Sequence, residues 1–148
     1  DKDTSRGLGD VYKRQGYKPI MKANIIDKSF SIRKNNTKLI IKPFQVTHGL
    51  IKSTGYVIDK IAYISDCNNI SLKNIEHLKN LNYLVLDCLK IDKHPSHFNL
   101  DEALNLINIT KPKKAILTNL HTDLDYFKLK KILPKNIIPA YDGLSFTS

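Results

Sequence analysis

Four short apolar runs in this chain each lead into a histidine or an aspartate, and their order restricts the fold more than any other feature. Leu39–Val46 leads to His48 in VTHG, Ala62–Ile64 to Asp66 in AYISDC, Tyr83–Leu86 to Asp87 in YLVLDC, and Ala115–Leu117 to His121 in AILTNLH. Short continuous apolar runs read as strands, and the last two as buried ones. Helical spacing fills the gaps between them. Ser71 offers an N-cap ahead of Leu72, Ile75, Leu78 and Leu81. Asn99, with Glu102 three residues on, makes a capping box ahead of Leu100, Ala103, Leu104 and Ile107. Lys111-Pro112 stops that helix, because proline cannot continue the ladder. Thr122 offers a cap for a helix carrying Phe127, Leu129 and Ile132, which ends at Leu133-Pro134.

Upstream, Ile20–Ile26, Phe30–Ile32 and Leu39–Val46 read as strands, with a turn at Asn35-Asn36. Tyr56–Ile58 and Ile61–Ser65 form a hairpin through Asp59-Lys60, and Ile137-Ile138 and Leu144–Phe146 are short closing strands. Strands come first and then alternate with helices. The expected class is α/β, with a largely antiparallel region extended by later strands that carry helices on one face.

The length of 148 residues suits one domain. No apolar run approaches the roughly 18–20 residues needed to span a bilayer, and no apolar leader opens the chain, so no membrane association is expected. Cys67 and Cys88 lack CxxC spacing and read as reduced thiols of a cytoplasmic protein. The net charge of +10 suits anionic partners such as phosphate esters or nucleic acid. The lysines are scattered and not interleaved with aromatic residues, so nucleic acid is the less favoured partner.

Residues 1–15 differ in character from the rest. Ser5–Gln15, SRGLGDVYKRQ, resembles a translated sequencing-adapter remnant and has no strand or helix periodicity. The expected organisation is a non-native or disordered tail over 1–15 and a folded unit over 16–148.

Strand C-termini and their loops are where functional side chains converge in layered α/β proteins. His48, Asp66 and His121 stand at such positions. Imidazole and carboxylate together suit zinc, manganese or iron. The alternative at each histidine is a hydrogen-bonded surface residue.

VTHG, IAYISD, HPSHFNLDEAL, AILTNLHTDLDY and IIPAYDG occur in this order. The series resembles the later motifs of the metallo-β-lactamase-fold hydrolases, and within them the phosphoribosyl cyclic phosphate phosphodiesterases. The resemblance spans Gly16 to Phe146. It implies a four-layer αββα sandwich, of which this chain is the C-terminal half only. It implies that His48, Asp66 and His121 ligate metal, with Asp66 bridging two divalent ions, zinc or manganese. It implies that His97 donates a proton to the leaving group, and that a small phosphate ester is the substrate. His94 could replace His97, hold a phosphate, or be a solvated loop residue. Asp142 could orient a ligand histidine from behind or serve as a turn former beside Gly143.

The family's HxHxDH motif is missing, since no HxH occurs in the chain. The metal site is therefore expected to be incomplete and the chain inactive, with the motif lying upstream in a longer parent. A thioesterase or a tRNA-processing nuclease of the same superfamily is the alternative function. A non-catalytic basic nucleic-acid-binding domain is the alternative of another class. Loss of the companion half would leave apolar surface exposed, so a homodimer is also open.

Overall fold

The computed structural model describes residue 26 and residues 28–147. Ser5–Gln15 and the expected strand Ile20–Ile26 lie outside them, except for Ile26, which belongs to no strand. The strands are β1 (Phe30–Lys34), β2 (Thr37–His48), β3 (Ile51–Ile58), β4 (Ile61–Ile64), β5 (Tyr83–Asp87), β6 (Lys114–Thr118) and β7 (Ile137–Pro139). They form a single seven-stranded sheet in sequence order.

β1 to β4 make an antiparallel meander. Each turn contains a residue with positive φ: Asn35 at 52°, Gly49 at 61° and Asp59 at 53°. Asparagine, aspartate and glycine tolerate this region at little cost. β4 to β7 are parallel neighbours, so their connections are crossovers. α1 (Leu72–Ile75), α2 (Leu100–Thr110) and α3 (Tyr126–Ile132) occupy those crossovers. Crossovers of one hand that step one way across a sheet place every helix on the same face.

Alternation along the strands separates the two faces. Phe44, Val46, Val57, Ala62, Ile64, Leu84, Leu86, Ala115, Leu117 and Ile137 point to the helices and form one core with Leu78, Ala103, Leu106, Ile107 and Leu129. On the opposite face, register aligns Pro43, Tyr56, Tyr63, Val85, Ile116 and Ile138 in a row across six strands.

Three local expectations are corrected. The helix after Ser71 lasts one turn and tightens into a 3₁₀ turn at Glu76–Leu78, and Ser71 makes no side-chain cap bond. The Asn74 side chain is held by the Gln45 carbonyl at 2.7 Å, which fixes this segment against β2. The last helix is capped by Asp125, which accepts from the Lys128 amide at 2.8 Å, and not by Thr122. Leu144–Phe146 is not a strand. Phe146 instead stacks on Tyr83 with centroids 4.4 Å apart. The capping box at Asn99 and Glu102 forms as expected.

Candidate metal centre

Topology explains why distant residues meet. β4, β5 and β6 run parallel, so their C-termini share one edge of the sheet. β2 is antiparallel to β3, and β3 to β4, so β2 ends at that same edge. His48 is the last residue of β2 and Asp87 the last of β5; Asp66 follows β4 and Asn119 follows β6. The loop between β5 and α2 then folds back over this edge. The Phe98 amide donates to the Cys67 carbonyl (2.8 Å) and the Leu89 amide to the Phe98 carbonyl (2.9 Å). Asn68 ties the loops together, accepting from the Gly49 amide at 3.1 Å and donating to the Pro95 carbonyl at 2.9 Å.

The outcome is a cluster of His48, Asp66 and His97, whose candidate ligand atoms all lie within 4.8 Å of one another. His48 Nδ1 lies 2.8 Å from the Ser96 carbonyl. That carbonyl can only accept, so Nδ1 carries the proton and Nε2 keeps its lone pair. His97 Nδ1 lies 2.7 Å from Asp87 Oδ2, which leaves its Nε2 as the outward nitrogen. The two rings meet edge to face with centroids 4.7 Å apart. Fixing one ring nitrogen to an acceptor is how ligating histidines are ordinarily oriented. Asp66 Oδ2 accepts from Ser65 Oγ at 2.8 Å.

The nitrogen and oxygen donors fit zinc or manganese. Three protein donors suffice for one catalytic-type ion with an open position. They are too few for two closed sites, and no other such cluster occurs among the described residues.

Asp87 is the buried anchor of the site and is fully enclosed. Its Oδ2 also accepts from the Cys67 amide at 2.8 Å, and its Oδ1 from Asn119 at 3.3 Å. Burial pushes its carboxyl above the ordinary carboxylate range, against the opposing pull of the Cys67 amide, His97 and Asn119. Asn119, at φ 62°, also donates to the Ser65 carbonyl and links the β4 and β6 ends. Sequence reading marked Asp87 as the end of an apolar run and did not count it among the site residues. The available signal was an aspartate closing a continuous apolar strand, since such a carboxylate needs partners. Cys67 and Cys88 are free and buried, and burial pushes both thiols up to about 12.

The remaining expected residues are placed differently. His121 is anchored by its amide to the Leu89 carbonyl at 2.8 Å. Its half-exposed ring pairs with Asp123, Nδ1 to Oδ1 at 3.1 Å, and stands outside the three-residue cluster. His94 borders the cluster, its ring centroid 5.2 Å from that of His97, and its Nδ1 lies 3.3 Å from Ser96 Oγ. Asp142 is exposed in the turn before Gly143, whose φ is 88°.

A profile of the β-lactamase superfamily domain matches residues 3–119. An octanoyltransferase of Porphyromonas gingivalis (strain ATCC BAA-308 / W83) is 33% identical over 109 residues, which are 72% of this chain and 22% of that protein. The crystal structure of a new diphosphatase from the PhnP family superposes with a TM-score of 0.85 at 27% identity, over 99% of this chain and 57% of that one. YhfI of Bacillus subtilis, a metallo-β-lactamase fold protein, superposes at 0.68 with 16% identity, over 91% of this chain and 59% of that one. The chain thus spans little more than half of the solved relatives and about a fifth of the octanoyltransferase. The shared fold is the metallo-β-lactamase fold, and one mixed sheet with helices on a single face is consistent with its C-terminal half.

Proposed function

The chain belongs to the β-lactamase superfamily, and from that premise we propose that it is the C-terminal part of a metal-dependent hydrolase acting on phosphate diesters of small molecules. The observation that carries this reading is His97, held by buried Asp87 at 2.7 Å and within 4.8 Å of His48 and Asp66. A phosphodiester expels an alkoxide, which needs a proton as it leaves. An oriented histidine beside the donor cluster is suited to provide it when the ring carries a second proton on Nε2, which passes to the alkoxide and leaves the neutral ring held through Nδ1–H. The structural relative is a diphosphatase, which supports a phosphate substrate over a thioester.

In this reading His48 and Asp66 hold metal. His121 joins them once its ring turns from Asp123, and His94 steadies a substrate phosphate. Divalent metal would neutralise phosphate oxygens and activate water for in-line attack. His48 stays oriented by the Ser96 carbonyl, and Asp87 holds His97 through its Nδ1–H, which leaves Nε2 to carry the proton that is given up. The further ligands that two ions require would come from a longer parent carrying an HxHxDH motif. The chain by itself should be inactive.

A second reading makes His97 the third ligand, and its place in the cluster favours it. Metal content and two rates separate the two in the longer protein. With His97 as donor, His97→Ala lowers turnover of an alkyl phosphodiester by roughly 10²–10⁴-fold. The same variant affects an activated aryl diester much less and keeps its metal. Asp66→Ala loses metal and activity together. If His97→Ala strips the metal and slows both substrates equally, His97 is a ligand and the proton-donor role is wrong.

A further inference from the structure

Asn119 follows β6, and its side chain reaches across the end of β5 to β4, a strand that is not a neighbour of β6 in the sheet. Its φ of 62° lies in the left-handed region, which asparagine tolerates better than most residues. The side-chain nitrogen donates to the Ser65 carbonyl and to Asp87 Oδ1, the latter at 3.3 Å. The Ser65 carbonyl can only accept, so the carboxamide turns its nitrogen and not its oxygen to this side. That nitrogen carries two protons, one for each partner.

The two acceptors lead to different parts of the cluster. Ser65 precedes Asp66 and donates its hydroxyl to Asp66 Oδ2 at 2.8 Å. Asp87 holds the His97 ring through Oδ2 at 2.7 Å, and the same oxygen accepts from the Cys67 amide. Its other oxygen, Oδ1, is met only by Asn119 among the described residues. Asp87 is fully enclosed, so without Asn119 that oxygen would be a buried acceptor left unpaired. The carboxylate would then be free to turn about its Cβ–Cγ bond and bring both oxygens towards the remaining donors. His97 would lose a partner of fixed direction.

We propose that Asn119 is a positioning residue for His97. It fixes which oxygen of Asp87 faces the ring. By holding the Ser65 carbonyl with the same nitrogen, it also sets that ring against Asp66. Its kinetic consequence rests on the proton-donor role of His97 proposed above, and its structural consequence does not.

Nuclear magnetic resonance of the 148-residue chain, with isotope-labelled histidine, follows two ring protons separately. His97 Nδ1–H reports the bond to Asp87. His48 Nδ1–H is held by the Ser96 carbonyl, a bond in which Asn119 has no part, and serves as the internal reference. Asn119→Gly and Asn119→Asp both accept a positive φ, and both lack the amide donors. The net strength of an ordinary hydrogen bond corresponds to roughly two- to ten-fold in an equilibrium. Each variant should speed exchange of the His97 proton with water by about that factor and leave the His48 proton unchanged. Equal loosening of both protons, or loss of both together with the fold, would mean a general structural role and overturn the proposal. A His97 proton that exchanges as in the wild type would overturn it too. In the longer protein Asn119→Gly should slow an alkyl phosphodiester by a similar factor and an activated aryl diester less. If the His97 proton is freed while both substrates turn over at wild-type rates, Asn119 positions His97 as proposed and the proton-donor reading is the one that fails.

Discussion

Asp87 shows how one buried residue organises several others. Its two oxygens take hydrogen bonds from the Cys67 amide, His97 and Asn119, which lie on three different loops. Burial raises its carboxyl above the ordinary 3.8. The folded state then holds this proton to higher pH than the unfolded chain does. Between 3.8 and the raised value the folded state binds more protons, so the residue's contribution to stability falls as pH rises through that window. Asp87→Asn keeps the shape and cannot titrate. The stability difference between wild type and Asp87→Asn should therefore move in favour of the asparagine variant as pH rises above 3.8, in urea titrations at stepped pH. A constant difference across the range would show that Asp87 binds its proton alike in the folded and unfolded chains, and that burial does not raise its carboxyl. In the longer protein the same variant should slow alkyl phosphodiester hydrolysis by about ten-fold or more while retaining metal, because a neutral amide no longer supplies the negative charge that supports the protonated His97 ring.

At the scale of elements, β2 and β3 are locked by a pairing that leaves little room for change. Phe44 lies directly over its cross-strand partner Gly55, and a Cβ added at Gly55 would stand 2.6 Å from the ring. Phe44 is part of the core and cannot swing away freely. Gly55→Val should cost about 1–3 kcal/mol through overpacking, and Phe44→Leu in the same chain should recover part of it. Denaturant unfolding of the single and double variants measures both, and a Gly55→Val chain as stable as wild type would mean the ring has space. This pairing also marks the limit of what sequence could reveal. Strands ending on His48, Asp66 and Asp87 were legible, because apolar runs and the polar residues closing them are local signals. Ile51–Gly55 was not, since KSTG has no apolar alternation and is a strand only because β2 pairs with it. The capping box at Asn99 was legible for the same local reason. The short helix after Ser71 was misjudged, because its length is decided by Asn74 reaching the Gln45 carbonyl 29 positions away. His97 joined His48 and Asp66 through loop hydrogen bonds that no spacing encodes, whereas the expected His121 faces Asp123.

The whole molecule is a sheet with two unlike faces. One carries the helices and the core. The other carries the row Pro43, Tyr56, Tyr63, Val85, Ile116 and Ile138, in which Ile116 is already buried, Pro43, Tyr56, Val85 and Ile138 are half-buried, and no described helix packs on it. Tyr63 is 45% exposed in the middle of that row. An apolar stripe crossing six strands gains by being covered, at roughly 25 cal/mol for each Å² removed from water. In a four-layer sandwich a second sheet would lie against it. Without that cover the chain should self-associate through this face, and the tendency should grow with concentration. Tyr63→Lys together with Val85→Lys leaves the helix-side core untouched, so it should raise the monomer fraction with little change in melting temperature. Sedimentation velocity over a range of concentrations reads this directly. The salt response adds a check, because the paired lysines act through repulsion that added salt screens. Association of the double variant should return in part at high salt, while that of the wild type should be little changed or strengthened. A wild-type chain that stays monomeric and unfolds cooperatively at high concentration would mean the face is already covered, and the half-sandwich arrangement would have to be redrawn.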